Sequence, residues 1–242
     1  MTFLGGLLLY AGLLVAAAGV ASLLKPIRFL GIRTRRRVAL VLALAFALFT
    51  AGVYLPCPAT RVAAVRSHLD EFQPVYQFGE VHSVLIHAPA ARVWTAMHEV
   101  TPDEITFFRT LMWLRFFHAP DPRRPILEGF VRGSFLLLTD DPPRELVFGK
   151  TGDGRHRSAS TAAEFQAFPS PQIRIAVNFR LREIGAARCL LTTETRVYAA
   201  GAEQLHGFAA YWRMIYPGSS LIRRMWLRAI RSRAEAATPQ SM

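Results

Sequence analysis

The sequence predicts an α+β protein: a two-helix transmembrane hairpin, then a domain built from an antiparallel sheet and one long C-terminal helix. Three observations carry this. Two long apolar runs open the chain, and residues 1–57 contain no Asp or Glu. A series of alternating, β-branched segments follows. The chain then returns to helical spacing from about Ala202 to Arg233.

The net charge of +12 over 242 residues is unevenly spread. Lys25, Arg28, Arg33, Arg35, Arg36 and Arg37 all lie between the two apolar runs. Such a cluster is a topology signal, so the basic balance calls for no nucleic acid. Phe3 to Leu24 is uncharged and long enough, as a helix, to cross a hydrocarbon core of roughly 30 Å. Val38 to Leu55 is the second run, stopped by Pro56-Cys57-Pro58. The first run lacks a positive n-region and exceeds the apolar length of a cleaved signal peptide. Tyr54, Leu55 and Pro56 are too bulky for a lipoprotein cleavage site before Cys57. Two retained helices, about 3–24 and 38–56, with a basic loop over 25–37, are therefore expected. The positive-inside rule puts the basic loop in the cytoplasm and the domain on the extracytoplasmic side of a bacterial-type inner or plasma membrane. Arg61 and Arg66, just past the second helix, reduce that asymmetry. Gly12, Ala16 and Gly19 suit close helix packing, but small residues are common in membrane helices, so they are read as background.

Residues 58–77 read as a linker with a short amphipathic segment, Val62, Val65 and Leu69 at helical spacing before Pro74. Phe78 to His87 alternates as a strand. Pro89 opens a helix through Val93, Trp94 and Met97. Thr101-Pro102-Asp103-Glu104 is a capping box expected to start an aromatic helix through Phe108, Met112 and Phe116. Gly129–Thr139, Glu145–Gly149, Thr161–Phe168, Ile173–Leu181 and Arg188–Tyr198 are expected as strands. In the fourth of these, Ile173, Ile175, Val177, Phe179 and Leu181 share one face and Arg174, Asn178, Arg180 and Arg182 the other, a sheet with one dry and one wet side. In the final helix Ile222, Met225, Trp226, Ala229 and Ile230 form an apolar stripe opposite Arg224, Arg228 and Arg231. Pro217-Gly218 predicts a kink or a division into two helices, and residues 237–242 a disordered tail.

Certain of these residues bear a family resemblance. Val84-Leu85-Ile86-His87-Ala88-Pro89-Ala90-Ala91-Arg92-Val93-Trp94 resembles the opening of the START-like, helix-grip superfamily labelled SRPBCC, in its polyketide cyclase/dehydrase and lipid-transport branch. Glu145–Gly149, Thr193–Val197, and Tyr211-Trp212-Arg213 running to Pro217–Arg224 extend the likeness over roughly residues 78–235. After Gly152 the pattern departs: relatives place an aromatic there, and this chain has Asp153-Gly154-Arg155-His156-Arg157. The resemblance implies a curved antiparallel sheet gripping the C-terminal helix, with an apolar cavity for lipids, sterols or polyketides between them.

Catalytic motifs are missing from the sequence. Gly133-Ser134 and Gly218-Ser219-Ser220 lack the spacing of a nucleophile elbow. Gly149-Lys150-Thr151 imitates a phosphate-loop ending, but Arg144 stands where the earlier glycine belongs, so a turn is expected. His82 and His87 fall on opposite faces of one strand. No catalytic set, metal site or cofactor is expected, and Cys57 and Cys189 imply no disulfide framework. Phe107, Phe108, Trp113, Phe130, Phe135, Phe148, Phe179, Phe208, Tyr211 and Trp212 are the candidates to line a cavity, against ordinary core packing. Glu194, Arg196, Arg109 and Tyr198 are its candidate polar groups. Glu194 and Arg196 share a strand face, either as an ion pair on a solvated outer surface or as a buried pair with a function. The reading that follows is a membrane-anchored binding domain for a hydrophobic, lipid-like small molecule, for transport or sensing. A cyclase- or dehydratase-type enzyme in the same cavity and an interaction module with a packed interior are the alternatives. The expected partners are the bilayer and the small molecule, with no nucleic acid.

Overall fold

The computed structural model describes residues 2–24, 34–133, 135–152, 158–167, 173–185 and 187–236. In chain order its elements are α1 (Thr2–Leu24), α2 (Arg35–Tyr54), β1 (Thr60–Arg61), α3 (His68–Phe72), β2 (Val75–Tyr76), β3 (Phe78–Ile86) and α4 (Ala90–Glu99). There follow α5 (Phe108–Phe116), α6 (Ile126–Arg132), β4 (Leu136–Asp141), β5 (Glu145–Gly152), α7 (Ala162–Ala167), β6 (Ile173–Gly185), β7 (Arg188–Ala199) and α8 (Ala202–Ala236). They form two units: Met1–Pro58 with Ala202–Tyr216, and Ala59–Gly201 with Pro217–Met242.

The first unit rests on α1 and α2, each long and apolar enough to cross a membrane. Glycines bring their backbones together. A Cβ on Gly52 would lie 2.7 Å from the Leu9 nitrogen, and one on Gly12 2.8 Å from the Phe49 nitrogen. Gly19 faces Leu42 as closely. Gly12 and Gly19 are thus contact residues rather than background. Lys25, Arg28 and Arg33 of the basic loop lie outside the described residues. The first half of α8 completes this unit through Arg213, which is 1% exposed. Its guanidinium donates to the carbonyls of Gly52 and Val53 at 2.7 Å and of Leu55 at 2.6 Å, and to Cys57 Sγ at 2.9 Å. Carbonyls at a helix C-terminus have no intrahelical donor and carry negative partial charge, so a buried cation fits them where no carboxylate exists.

The second unit is α+β, as expected. Its five strands form an antiparallel sheet in the order β3-β7-β6-β5-β4. One face packs on α4, α6 and the second half of α8: Val93, Met97, Ile126, Leu127, Phe148, Phe179, Leu181, Trp226, Leu227 and Ile230 share one buried core. This sheet laid against the long C-terminal helix is the helix-grip arrangement. Pro217 lies inside a single helix, not between two.

Several expectations are corrected. The face read as wet is largely covered by α3 and α7, where Leu69, Leu138, Val147, Phe165 and Ala176 form a second core. Asn178 is buried there, while Arg180 and Arg182 stay exposed. Segment 58–77 holds β1, β2 and α3. Buried Glu145 accepts from the backbone N–H groups of His68 (2.8 Å) and Leu69 (3.3 Å) and from Asn178 Nδ2 (2.6 Å), fixing α3 to the sheet. The stretch Gly129–Thr139 is helical as far as Arg132, because Ile126, Leu127 and Phe130 reach the core at helical spacing behind Pro125. The strand expected over Thr161–Phe168 is helix α7, with Phe168 outside the described residues. Thr161 Oγ1 accepts from Glu164 N and Glu164 from Ser160 N, a capping arrangement. The Thr101–Glu104 capping box heads one 3-10 turn, Pro102–Glu104, and the aromatic helix starts separately at Phe108. Gly149-Lys150-Thr151 lies within β5 rather than at a turn. A Cβ at Gly149 would lie 2.6 Å from Phe165 and 2.7 Å from Leu138, which is why glycine stands there.

Candidate functional site

The face of the sheet that meets α8 is divided by register. One row across it reads His82, Thr193, Phe179 and Leu146, and the next Glu80, Thr195, Val177 and Phe148. Polar side chains therefore stand on β3 and β7, and apolar ones on β6 and β5. Helix α8 repeats the division along its length. Ser219, Ser220, Arg223 and Arg224 precede Trp226, Leu227 and Ile230.

At the polar end Glu80 is 3% exposed. Its carboxylate meets His82 Nε2 at 2.7 Å and accepts from Ser219 Oγ at 2.9 Å. Ser220 Oγ lies 3.3 Å from the same His82 nitrogen, and Arg224 Nε donates to His82 Nδ1 at 3.5 Å. His82 Nε2 therefore faces both Glu80 and Ser220, and Nδ1 faces Arg224. A serine–histidine–carboxylate relay uses both ring nitrogens in turn. Here serine and carboxylate face one nitrogen, so no such relay forms. Arg223 Nη1 donates to Thr193 Oγ1 at 3.3 Å, and its guanidinium lies over the Phe130 and Trp226 rings at 5.9 and 5.7 Å. It joins the two ends.

At the apolar end rings pack on rings. Phe130 lies 4.9 Å from Phe135, 5.7 Å from Phe148 and 5.4 Å from Trp226, and Phe179 lies 4.8 Å from Trp226. Trp226 Nε1 is buried without a hydrogen-bond partner among the described residues. A buried indole N–H ordinarily finds an acceptor. Two open grooves, of about 630 and 740 Å³, lie elsewhere, one beside α3 and the ends of β5 and β6, the other between α4 and α8.

The residues singled out in the sequence fall in four places. Phe130, Phe135, Phe148 and Phe179 meet at this site, and Phe108 is buried in the same core. Phe107, Arg109 and Trp113 are exposed on and beside α5. Glu194, Arg196 and Tyr198 lie on the other face of the sheet. There Arg196 pairs with Glu194 and with Asp70 at 2.7 Å, donates to the Gln73 carbonyl at 3.2 Å and lies over the Tyr76 ring at 5.0 Å. Burial works to raise the Asp70 carboxyl, but the Arg66 N–H, Arg196 and Ser67 together hold it below the usual range. This cluster ties the segment before the sheet to β7. Phe208, Tyr211 and Trp212 belong to the first unit, with Phe208 and Trp212 stacked at 5.9 Å.

Glu80, His82, Ser219, Ser220 and Arg223 were not singled out. Their signal was parity, since positions 80 and 82 share a face with Phe78, Val84 and Ile86, which is where a core residue is expected.

No family model matches the chain, and no curated protein matches it. Among solved structures, an aromatase/cyclase from Streptomyces sp. R1128 is 17% identical, with 68% of this chain and 97% of that chain covered at a TM-score of 0.31. A di-domain aromatase/cyclase of the BE-7585A biosynthetic pathway is 15% identical, with 67% and 48% covered at 0.30. A protein from Mesorhizobium loti is 12% identical, with 67% and 100% covered at 0.36. At these TM-scores the likenesses carry no argument about ligand or activity.

Proposed function

We propose that the chain is a membrane-anchored binding domain for an amphiphilic, lipid-like molecule held between the sheet and α8. The observation that carries this is the divided interior: a buried polar end built by three elements, continuous through Arg223 with an aromatic end. Burying Glu80, His82, Thr193 and Ser220 costs free energy that an apolar core avoids, and convergent polar groups beside apolar walls are what a site for a small amphiphile requires. The apolar tail takes the place of packed rings among Phe130, Phe148, Phe179 and Trp226, and the head meets His82, Ser219 and Ser220. Helices α1 and α2 keep the domain at the bilayer from which such a ligand partitions. The resemblance to the helix-grip superfamily supports the same reading.

The test is mass spectrometry of organic extracts from the full chain purified in detergent, beside a Ser219→Ala, Ser220→Ala variant. One amphiphile should be enriched over bulk lipid and fall by about tenfold in the variant, the loss of roughly one net hydrogen bond. Identical bulk lipid in both samples would instead favour a packed interaction module, to which the ring contacts at 4.8–5.7 Å are also suited.

A second reading rests on the Glu80–His82 contact, a carboxylate–imidazole pair able to move a proton in a cyclase- or dehydratase-type step. Turnover of the extracted molecule by the wild-type chain, abolished in His82→Gln, would select it.

A further inference from the structure

Helix α5 is built outward. Phe108 is buried in the core and Met112 packs partly against it, yet Trp113 and Leu114 are 53% and 67% exposed, as are the flanking Phe107 (71%) and Phe117 (80%). On α6, Val131 is 50% exposed as well. Scattered apolar residues on a surface need no explanation, but an aromatic run on one short segment does. The backbone sharpens the point. Phe107 and Phe117, which bracket the helix, both adopt left-handed conformations, φ 59° and 53°. That region is unfavourable for a bulky residue, and neither ring gains burial in return. Trp113 and Phe117 meet edge to face at 6.2 Å, presenting a joined aromatic surface.

The charge pattern identifies the partner. From Ile105 to Pro120 the sequence holds Arg109, Arg115 and His118 and no Asp or Glu. Trp, Phe and Leu beside arginine, without acids, are the composition of a segment that lies in a bilayer interface and contacts anionic headgroups. Only Leu55–Pro58 separate the end of α2 from the unit that begins at Ala59, so an anchored domain has a lipid surface within reach of its tether.

We infer that α5 and its flanking phenylalanines are a membrane-docking surface, with Trp113, Leu114, Phe107 and Phe117 seated at the level of the headgroups. The inference rests on the anchored reading of α1 and α2. It goes beyond that reading by assigning the folded domain its own contact with lipid.

The experiment uses the full chain with Cys57→Ser and Cys189→Ser, reconstituted in vesicles of phosphatidylcholine and phosphatidylglycerol. A polarity-sensitive dye is placed at Leu114→Cys or, as control, at the exposed Glu183→Cys. Nitroxide-bearing lipids should quench the dye at position 114 severalfold more than at 183, and aqueous iodide should do the reverse. Iodide quenching at 114 equal to that at 183 would overturn the docking. So would a dye at 114 shielded from both quenchers, which would indicate a protein contact instead. Retention through an alkaline wash is read in parallel. A retained chain with an iodide-accessible dye sinks the docking alone, whereas a chain that washes off overturns the anchor and the docking together.

Discussion

Arg213 shows how one side chain can be decided by acceptors that are not charged. It is buried, and its partners are three carbonyls at the end of α2 and the Cys57 sulfur. Truncation removes the guanidinium donors to the Gly52 and Val53 carbonyls and leaves Leu55 only the Cys57 thiol at 3.7 Å. Arg213→Leu is therefore expected to lower the stability of the detergent-solubilised chain by about 2–4 kcal/mol, read as a fall in the thermal midpoint. Arg213→Lys should recover only part of it, since an ammonium cannot span four acceptors as a planar fork does. Asp70 makes the complementary case on the far face of the sheet. Its carboxyl is held below the ordinary carboxylate range, so its contribution is present above the unfolded value near ~4 and is lost as pH falls through the lower folded value. Asp70→Asn should cost about 2 kcal/mol at pH 7 and flatten stability against pH below about 4, measured by urea unfolding across that range. An unchanged acid limb in the variant would show that other carboxylates set it.

The covering of the second sheet face is a matter of elements rather than residues. α7 is one turn and a half of helix, and it stays in place because Phe165 fits the gap left by Gly149 and meets Leu138 and Val147. Arg174 lies over the same ring at 5.6 Å, and burial pushes its guanidinium downward from its ordinary value. Adding one methyl beneath Phe165 overfills this layer. Gly149→Ala should destabilise by about 1–3 kcal/mol, with hydrogen exchange rising first in α7 and β4. Stability equal to wild type would mean that α7 is free to shift outward. Gly12 and Gly52 at the α1–α2 contact work by the same logic, but there the neighbour is backbone, which has less room to give.

At the scale of the whole chain the two units each hold one buried cysteine, Cys57 in the first and Cys189 in the second. Burial raises both thiols, for Cys57 against the lowering influence of Arg213. A thiol kept protonated and out of solvent is inert. Alkylation in increasing urea should therefore leave both untouched in the native chain and modify them at two separate midpoints. A single shared midpoint would mean that α8, common to both units, makes them unfold as one.

The expectations that held are those in which a pattern extends along the chain. The apolar runs of α1 and α2 are legible as continuous composition, and the alternation of β6 and β7 and the stripe Ile222, Met225, Trp226, Ala229, Ile230 by local periodicity, which says which side chains share a face. Periodicity does not say what lies against that face. Arg174 and Asn178 read as wet because they are polar, but α3, from far upstream, and α7, just before β6, cover that face of the sheet. Glu194 and Arg196 were legible as a pair, but Asp70, which makes it a buried three-way cluster, is far away in sequence. The segments around Phe130 and Phe165 are helical because their apolar side chains reach a core at helical spacing, and that core exists only after folding. Glu80 and His82 mark the division most clearly. Sequence alone placed them on the strand face they share with Phe78 and Ile86. Only the packing of α8 brought Ser219, Ser220 and Arg224 to them, because a hydrogen-bonding partner is chosen by proximity in space, which no spacing along the chain encodes.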